Sequence, residues 1–428
     1  MDDTALSILG QSQVAPRHLG RVLSDVAALD SQPPPIRSLY LHIPFCFHKC
    51  HYCDFYSFVD TRDRQEAFTR QLESELALLA PLARGEPLRT IFVGGGTPSL
   101  LRVELWKDLL ATLGELFDLS NIQTEPTEAF AGEFTVECNP ETVTPELMHT
   151  LRAGGVTRVS VGAQTFNPQH LQTLERWHDP ANVGKAIELA RQAGITRQSL
   201  DLIYAIPGQT LADLEADLDR AIELGSEHVS AYTLTYEPNT AMTMRMRRGE
   251  FEPAAEGLEI EMFDLVESRL ASAGLDRYEV SNFAKPGGEC RHNLAYWRQS
   301  DWLAAGPSAS AHVHGHRYKV VPRLGDYLKP FDSPADQVGP PIVDHEPPDA
   351  RRLLAERLMT AVRLREGFDR SVMLGDADAI GAADRLSQAI KLELELGVLE
   401  AIGDRVVPSE SGWLVADGIA SRLMAAIG

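Results

Sequence analysis

Cys46, Cys50 and Cys53 stand in a C-x3-C-x2-C pattern within LYLHIPFCFHKCHYCDFYSF (39–58) and account for three of the five cysteines of the chain. Three thiolates at this spacing, in a loop that follows a short apolar strand, can turn toward one centre. A cubane iron–sulfur cluster normally takes four cysteine ligands, so three leave one iron open to a reactive ligand. Two other chemistries compete for the same residues. A structural zinc site would borrow His48 or His51 as its fourth ligand, but such sites usually come as two C-x2-C halves or with H-x3-H, and no second half exists here. A disulfide is disfavoured, because five cysteines in 428 residues without a secretory signal point to a reducing compartment.

Further polar residues fall where strands end. Gly94-Gly95-Gly96-Thr97-Pro98 closes the apolar run Leu88 to Val93, and successive glycines admit a ligand that any Cβ would push away. Glu137, Gln164 and Asp201 lie on three later strand-like runs, at 133–137, 158–161 (just beyond its end) and 199–204. Together they would place acceptors and donors around one mouth, suited to an amine and to hydroxyl groups. Arg176 would add a cation for a carboxylate.

The elements that must position these residues alternate. Strand-like runs at 39–43, 88–93, 133–137, 158–161, 199–204 and 228–234 are each followed by an amphipathic or proline-started helical stretch, except the last, where the pattern changes. Repeated β-then-α units imply parallel strands with right-handed crossovers, either a barrel or an open doubly wound sheet. In such a barrel the chemistry gathers at the carboxyl ends of the strands. The chain divides into an N-terminal tail (1–36), a main region (37–330), a proline-rich linker (331–349) and a C-terminal domain (350–428). Within the tail a short helix is expected between Ala15 and Leu29. The C-terminal domain reads as α+β and winged-helix-like. Residues 341–428 carry 10 basic and 15 acidic side chains, which argues for packing or partner contacts over DNA.

The whole chain carries a formal charge of −21, unsuited to sequence-independent binding of nucleic acid or anionic lipid. No apolar run approaches the roughly 20 residues of a membrane span. The start, MDDTALSILGQSQVAP, is acidic where a targeting peptide would be basic. A soluble cytoplasmic protein, not integral to a membrane, is expected.

The cysteine spacing resembles the signature of the radical S-adenosylmethionine (SAM) superfamily. The order of the other pieces resembles its branch of oxygen-independent coproporphyrinogen III oxidases and their heme-chaperone relatives. The resemblance runs from about Arg37 to the C-terminus. It implies a partial six-unit (β/α) barrel, open on one side, with a small C-terminal domain. It also implies a [4Fe-4S] cluster on Cys46, Cys50 and Cys53, and a SAM site drawn from Tyr40, Tyr52, Gly95, Gly96, Thr97, Glu137, Gln164, Arg176 and Asp201. In that superfamily an electron from the cluster cleaves SAM to a 5′-deoxyadenosyl radical.

Two details separate the relatives. The oxidases extend the motif to a fourth cysteine, where this chain has Phe55, and they carry a longer N-terminal region. His292-Asn293-Leu294-Ala295-Tyr296-Trp297 instead matches the H-N-x-x-Y-W motif of the chaperones. That side of the branch implies heme as a third ligand, an acceptor hemoprotein such as a respiratory one, and an electron donor such as flavodoxin or ferredoxin. It does not imply coproporphyrinogen oxidation. His292 is the expected heme ligand. His312, His314 and His316 come next, read as one face of a strand. The segment Ala305-Gly306-Pro307-Ser308-Ala309-Ser310-Ala311-His312 is poorer in glycine than the usual pattern. Beside the chaperone reading stand a radical decarboxylase and a cluster that only senses redox state or oxygen.

Overall fold

The computed structural model describes residues 17–28, 33–123, 132–330 and 338–428. Its strands, in chain order, open with β1 (Arg17–His18), β2 (Ser38–Ile43), β3 (Thr90–Gly95), β4 (Glu133–Cys138), β5 (Arg158–Gln164), β6 (Arg197–Tyr204) and β7 (His228–Thr233). They continue with β8 (Asp276–Glu279), β9 (Asn282–Ala284), β10 (Leu303–Ala305), β11 (Ser310–Val313), β12 (His316–Val320) and β13 (Pro341–Glu346). The C-terminal module adds β14 (Phe368–Asp369), β15 (Leu399–Ile402) and β16 (Arg405–Pro408).

The main sheet runs β10-β2-β3-β4-β5-β6-β7-β9-β8, and β2 through β7 are all parallel. These are the six alternating runs read from the sequence. The sheet stays open, because β10 and β8 end it without pairing to each other. β10 joins β2 in parallel, while β9 and β8 close the other side antiparallel.

The strands alternate strictly between two surroundings, as a period of two requires. Leu39, Leu41, Ile43, Ile91, Val93, Phe134, Val136, Leu200 and Val229 are buried in the core with the helices. The opposite face is mostly polar, with Tyr40 and His42, Thr135 and Glu137, Ser160, Ser199 and Asp201, His228 and Ser230 beside the apolar Phe92 and Ile203. The register aligns these into rows, for example Gly162↔Asp201↔Ser230 and Ser160↔Ser199↔His228. A sheet lined this way on its concave face is built to hold something polar there.

Two sequence expectations are corrected by the packing. Residues 1–36 do not read as a free tail over their described part. β1 pairs with β13, and the Leu19–Ala27 helix buries Leu19, Val22 and Val26 in the main core. The limits Ala15 and Leu29 expected for this helix lie outside the described residues. Nor is 331–349 a linker throughout. Residues 341–346 form β13, which binds β12 as well as β1, because the prolines sit at its first residue and beyond its end. Residues 331–337 lie outside the described residues. A second apolar cluster, from Leu354 to Ile427, holds four helices around the β14-β16-β15 sheet, a helix-and-hairpin module.

One buried acid joins distant segments of the main region. Glu75, on the Gln65–Leu79 helix, is fully buried and accepts from Tyr327 Oη (2.7 Å) and from the Gly306 N–H (2.9 Å). Gly306 lies against the His42 carbonyl at φ +102°, where a Cβ would fall 2.4 Å from that oxygen. Burial pushes the Glu75 carboxyl up to about 7, although both hydrogen bonds pull it down. The folded chain therefore holds this proton where the unfolded chain has lost it, so stability falls as pH rises through the interval from about 4.5 to about 7. Glu75→Gln is expected to be relatively more stable at pH 8 and to flatten the dependence of Tm on pH. At about 1.4 kcal/mol per pKa unit the difference reaches a few kcal/mol. Equal slopes for the two proteins in thermal melts would contradict this.

Candidate functional site

The cysteine loop is pinned at both ends. Cys46 N–H donates to the Phe58 carbonyl (3.0 Å) and Phe58 N–H to the Pro44 carbonyl (3.0 Å). Phe45 meets Phe58 and Phe68 edge-on beneath. Within the loop Lys49 Nζ donates to the carbonyls of Phe55 (2.9 Å) and Ser57 (3.3 Å), which holds the turn that carries Cys50 and Cys53. Cys50 is buried, while Cys46 and Cys53 are partly exposed.

The glycine run meets this loop from β3. Gly96 N–H donates to the Ile43 carbonyl (2.8 Å) and Thr97 N–H to the Phe45 carbonyl (2.7 Å). A Cβ on Gly96 would lie 2.7 Å from the Phe45 oxygen, and one on Gly95, at φ +109°, 2.5 Å from the His42 ring. The glycines are thus required first by the close approach of β3 to the end of β2. Thr97 Oγ1 reaches Cys46 Sγ at 3.6 Å. From the other side Arg176 Nη1 reaches Cys50 Sγ at 3.8 Å, and its Nη2 donates to the Gly162 carbonyl (3.2 Å). Arg176 Nε is buried without a partner among the described residues. Tyr52 packs beside Leu174, Ile206 and Met242.

Glu137 and Asp201 face each other deeper in the mouth. Glu137 Oε2 accepts the Gly95 N–H at 3.1 Å. Burial first, and then the Asp201 charge, push its carboxyl up to about 8. Asp201 accepts from Ser160 Oγ at 2.9 and 3.1 Å; it is raised too, chiefly by burial. A cationic ligand between the two would offset the burial and the Asp201 charge that raise Glu137. Gln164 ends β5 at φ +62°, in the register break that follows Gly162. Tyr40 Oη lies 3.0 Å from His42 Nδ1, whose Nε2 is 2.8 Å from the Tyr56 carbonyl. Burial lowers His42 to about 4, which keeps it neutral. The sequence reading missed His42, Ser160 and Ser230. The signal for His42 was its place two residues after Tyr40, on the same face of the strand.

The zinc alternative would draw its fourth ligand from His48 or His51. His48 stacks on Trp177 at 4.3 Å and 8°, and His51 Nδ1 sits 3.3 Å from Arg245 Nη1. Among the described residues no three His, Cys, Asp or Glu side chains are placed to share one metal ion. A cubane asks for something else, one thiolate at each of three corners.

The structure does not bring His292, the expected heme ligand, to the cysteine mouth. The Arg291–Trp297 helix sits at the amino ends of the strands, against Thr90 and Glu133. The cysteines lie beyond the other ends, about 16 Å away along β3 at 3.3 Å per residue. His292 is 0% exposed, with Nδ1 2.9 Å from Thr90 Oγ1 and its ring stacked near Phe92 and Tyr40. Glu133 accepts from Cys290 Sγ and from the backbone N–H groups of Arg291 and His292, and Arg197 lies 3.5 Å away. The H-N-x-x-Y-W helix is therefore a floor plug, and heme ligation by His292 would require that helix to leave the floor. His292→Ala should cost about 2–4 kcal/mol of stability, from the cavity and the orphaned Thr90, and leave heme affinity unchanged. Loss of the heme Soret band in a variant with wild-type Tm would return the ligand to His292.

The 312–316 histidines also differ from expectation. His314 (φ +47°) and Gly315 (φ +82°) form the turn between β11 and β12, so the three do not share a strand face. Asp301 lies 3.1 Å from His312 and 3.0 Å from His314.

Residues 40–221 match the radical SAM superfamily. Heme chaperone HemW of Mycobacterium tuberculosis (strain ATCC 25618 / H37Rv) is 36% identical over 405 residues, covering 94% of this chain and 97% of that protein. The chain belongs to the HemW family. The HemW proteins of Lactococcus lactis and Escherichia coli are each 37% identical, over 68% and 65% of this chain and 74% and 71% of their own lengths. The solved structure of Escherichia coli coproporphyrinogen III oxidase HemN superposes with a TM-score of 0.76 at 22% identity, over 94% of this chain and 92% of that one. HemN thus shares the partial barrel and the C-terminal module. No helix among the described residues is long and apolar enough to cross a membrane.

Proposed function

We propose that this chain is a heme chaperone. It holds a [4Fe-4S] cluster on Cys46, Cys50 and Cys53, caps that cluster with SAM, binds heme and passes it to an acceptor hemoprotein. The observation that carries the reading is the match to a HemW relative over 97% of its length, in a chain whose cysteines, glycines and facing carboxylates meet at one mouth. When bound, the cluster and SAM supply one-electron chemistry. The protein's part is positioning. Gly95, Gly96 and Thr97 bring backbone to the loop, with Tyr40 and Tyr52 as walls. Glu137 and Asp201 would accept from an amine and ribose hydroxyls, Gln164 would hydrogen-bond beside them, and Arg176 would offset a carboxylate next to Cys50. A flavodoxin or ferredoxin would be the electron donor, a respiratory hemoprotein an acceptor, and the cytoplasm the place.

Fold likeness to HemN favours one rival, oxidative decarboxylation of coproporphyrinogen III. Phe55 speaks against it: it occupies the fourth-cysteine place and is 65% exposed at the loop surface. Anaerobically reconstituted, reduced protein with SAM should bind heme and leave coproporphyrinogen III unchanged. Formation of protoporphyrinogen would replace the chaperone by the enzyme.

A further inference from the structure

The outward side of the cysteine loop differs from the rest of the surface. Phe47 and Trp177 are 62% and 55% exposed there and meet edge-on at 6.2 Å, and Phe55, further along the same loop, is 65% exposed. Exposed aromatics gathered around a redox loop mark a contact surface. The helix Ala241–Arg247 is fastened beside them. Met242 N–H donates to the carbonyl of His51, between Cys50 and Cys53 (2.9 Å), and Arg245 Nη1 reaches both His51 Nδ1 (3.3 Å) and the Thr173 carbonyl (3.5 Å). That helix and the residue after it read Arg245-Met246-Arg247-Arg248 in a chain of net charge −21. Arg245 is paired with Glu250 at 2.9 Å and Arg248 reaches the same acid only at 4.0 Å. Arg247 is exposed and makes no ion pair among the described residues.

We infer that this basic and aromatic face is the docking surface for a small acidic one-electron carrier protein. The inference rests on the cluster assignment above and names where its electron enters. An acidic carrier is repelled by most of a −21 surface and attracted where arginines cluster, which steers encounter to the loop. Weak redox encounters need little area, and a few exposed aromatics with a charged rim supply it. The inward side of the loop is already met by Thr97 and Arg176, so the outward side is the free approach to the thiolates. The step balances as one electron: the carrier is oxidised by one, the cluster reduced by one, and no bond to the protein forms or breaks.

The test is the double variant Arg247→Glu/Arg248→Glu, with flavodoxin hydroquinone as the probe carrier and dithionite as the small reductant. Flavodoxin binding to the full chain, by titration calorimetry, and its rate of cluster reduction should both fall about tenfold at low ionic strength and converge with wild type at high salt. Reduction by dithionite should not change. Wild-type binding and rate in the variant overturn the proposal, as does equal slowing with both reductants. Impaired heme transfer with intact flavodoxin binding would overturn it in favour of a hemoprotein acceptor on this face. Failure of the wild type to show a reducible cluster with dithionite would instead count against the cluster assignment itself.

Discussion

Cys50→Ala is expected to abolish the cluster. Reconstituted wild-type protein should carry roughly four irons and four sulfides per chain, and the variant close to none, because two thiolates cannot hold a cubane whose fourth corner is already open. Cys50 is the buried cysteine of the three, with the Arg176 guanidinium 3.8 Å from its sulfur, so no neighbouring thiol can replace it without moving that contact. Cys46→Ala and Cys53→Ala should behave alike. Cys138 and Cys290 serve as internal controls. Both are buried, and burial pushes both thiols up to about 12, so they stay protonated and act as small core residues. Iron and sulfide analysis with low-temperature EPR reads all five variants. A full four-iron signal in Cys50→Ala would remove the assignment.

Gly96→Ala should damage the site through a single methyl group. Its Cβ would fall 2.7 to 2.9 Å from the Phe45 oxygen, the Pro44 carbonyl carbon and the Ile43 oxygen, all backbone atoms that no rotamer change can move. The strand and the cysteine loop must separate, breaking the hydrogen bonds from Gly96 to Ile43 and from Thr97 to Phe45. Overpacking of this kind costs about 1–3 kcal/mol in stability. The larger effect is on the site, with SAM affinity falling at least roughly tenfold, equivalent to about 1.4 kcal/mol of misplaced contact. Equilibrium binding of SAM to reconstituted protein measures it. Gly114→Ala, where an added Cβ meets nothing within 4 Å, is the matched control.

Much of this architecture was legible before any coordinates. Residues that alternate along a parallel strand declare their two faces, so β2 to β7 could be placed from apolar runs and the mouth from polar residues near their ends. The cysteine loop stood out because three cysteines fall within eight residues. What failed was long-range contact. Nothing in Leu19, Val22 and Val26 says that they dock on a core built mostly by later residues, or that β1 pairs with β13 some 320 positions on. A proline-rich segment looked like a linker because prolines break a central strand, while β13 tolerates Pro341 as its first residue. His292 lies away from the cysteine mouth for a related reason. A histidine among aromatics reads as a ligand in sequence, and only the fold shows Thr90 and Glu133 holding its helix in the floor.

Heme transfer tests the account most directly. The reconstituted protein, loaded with one equivalent of heme, would be mixed anaerobically with an apo-hemoprotein, and the Soret band followed with and without SAM. The account predicts a stable heme complex whose spectrum converts to that of the acceptor faster than free heme would load it. No saturable heme binding, or an acceptor that fills at the same rate without this protein, would contradict it.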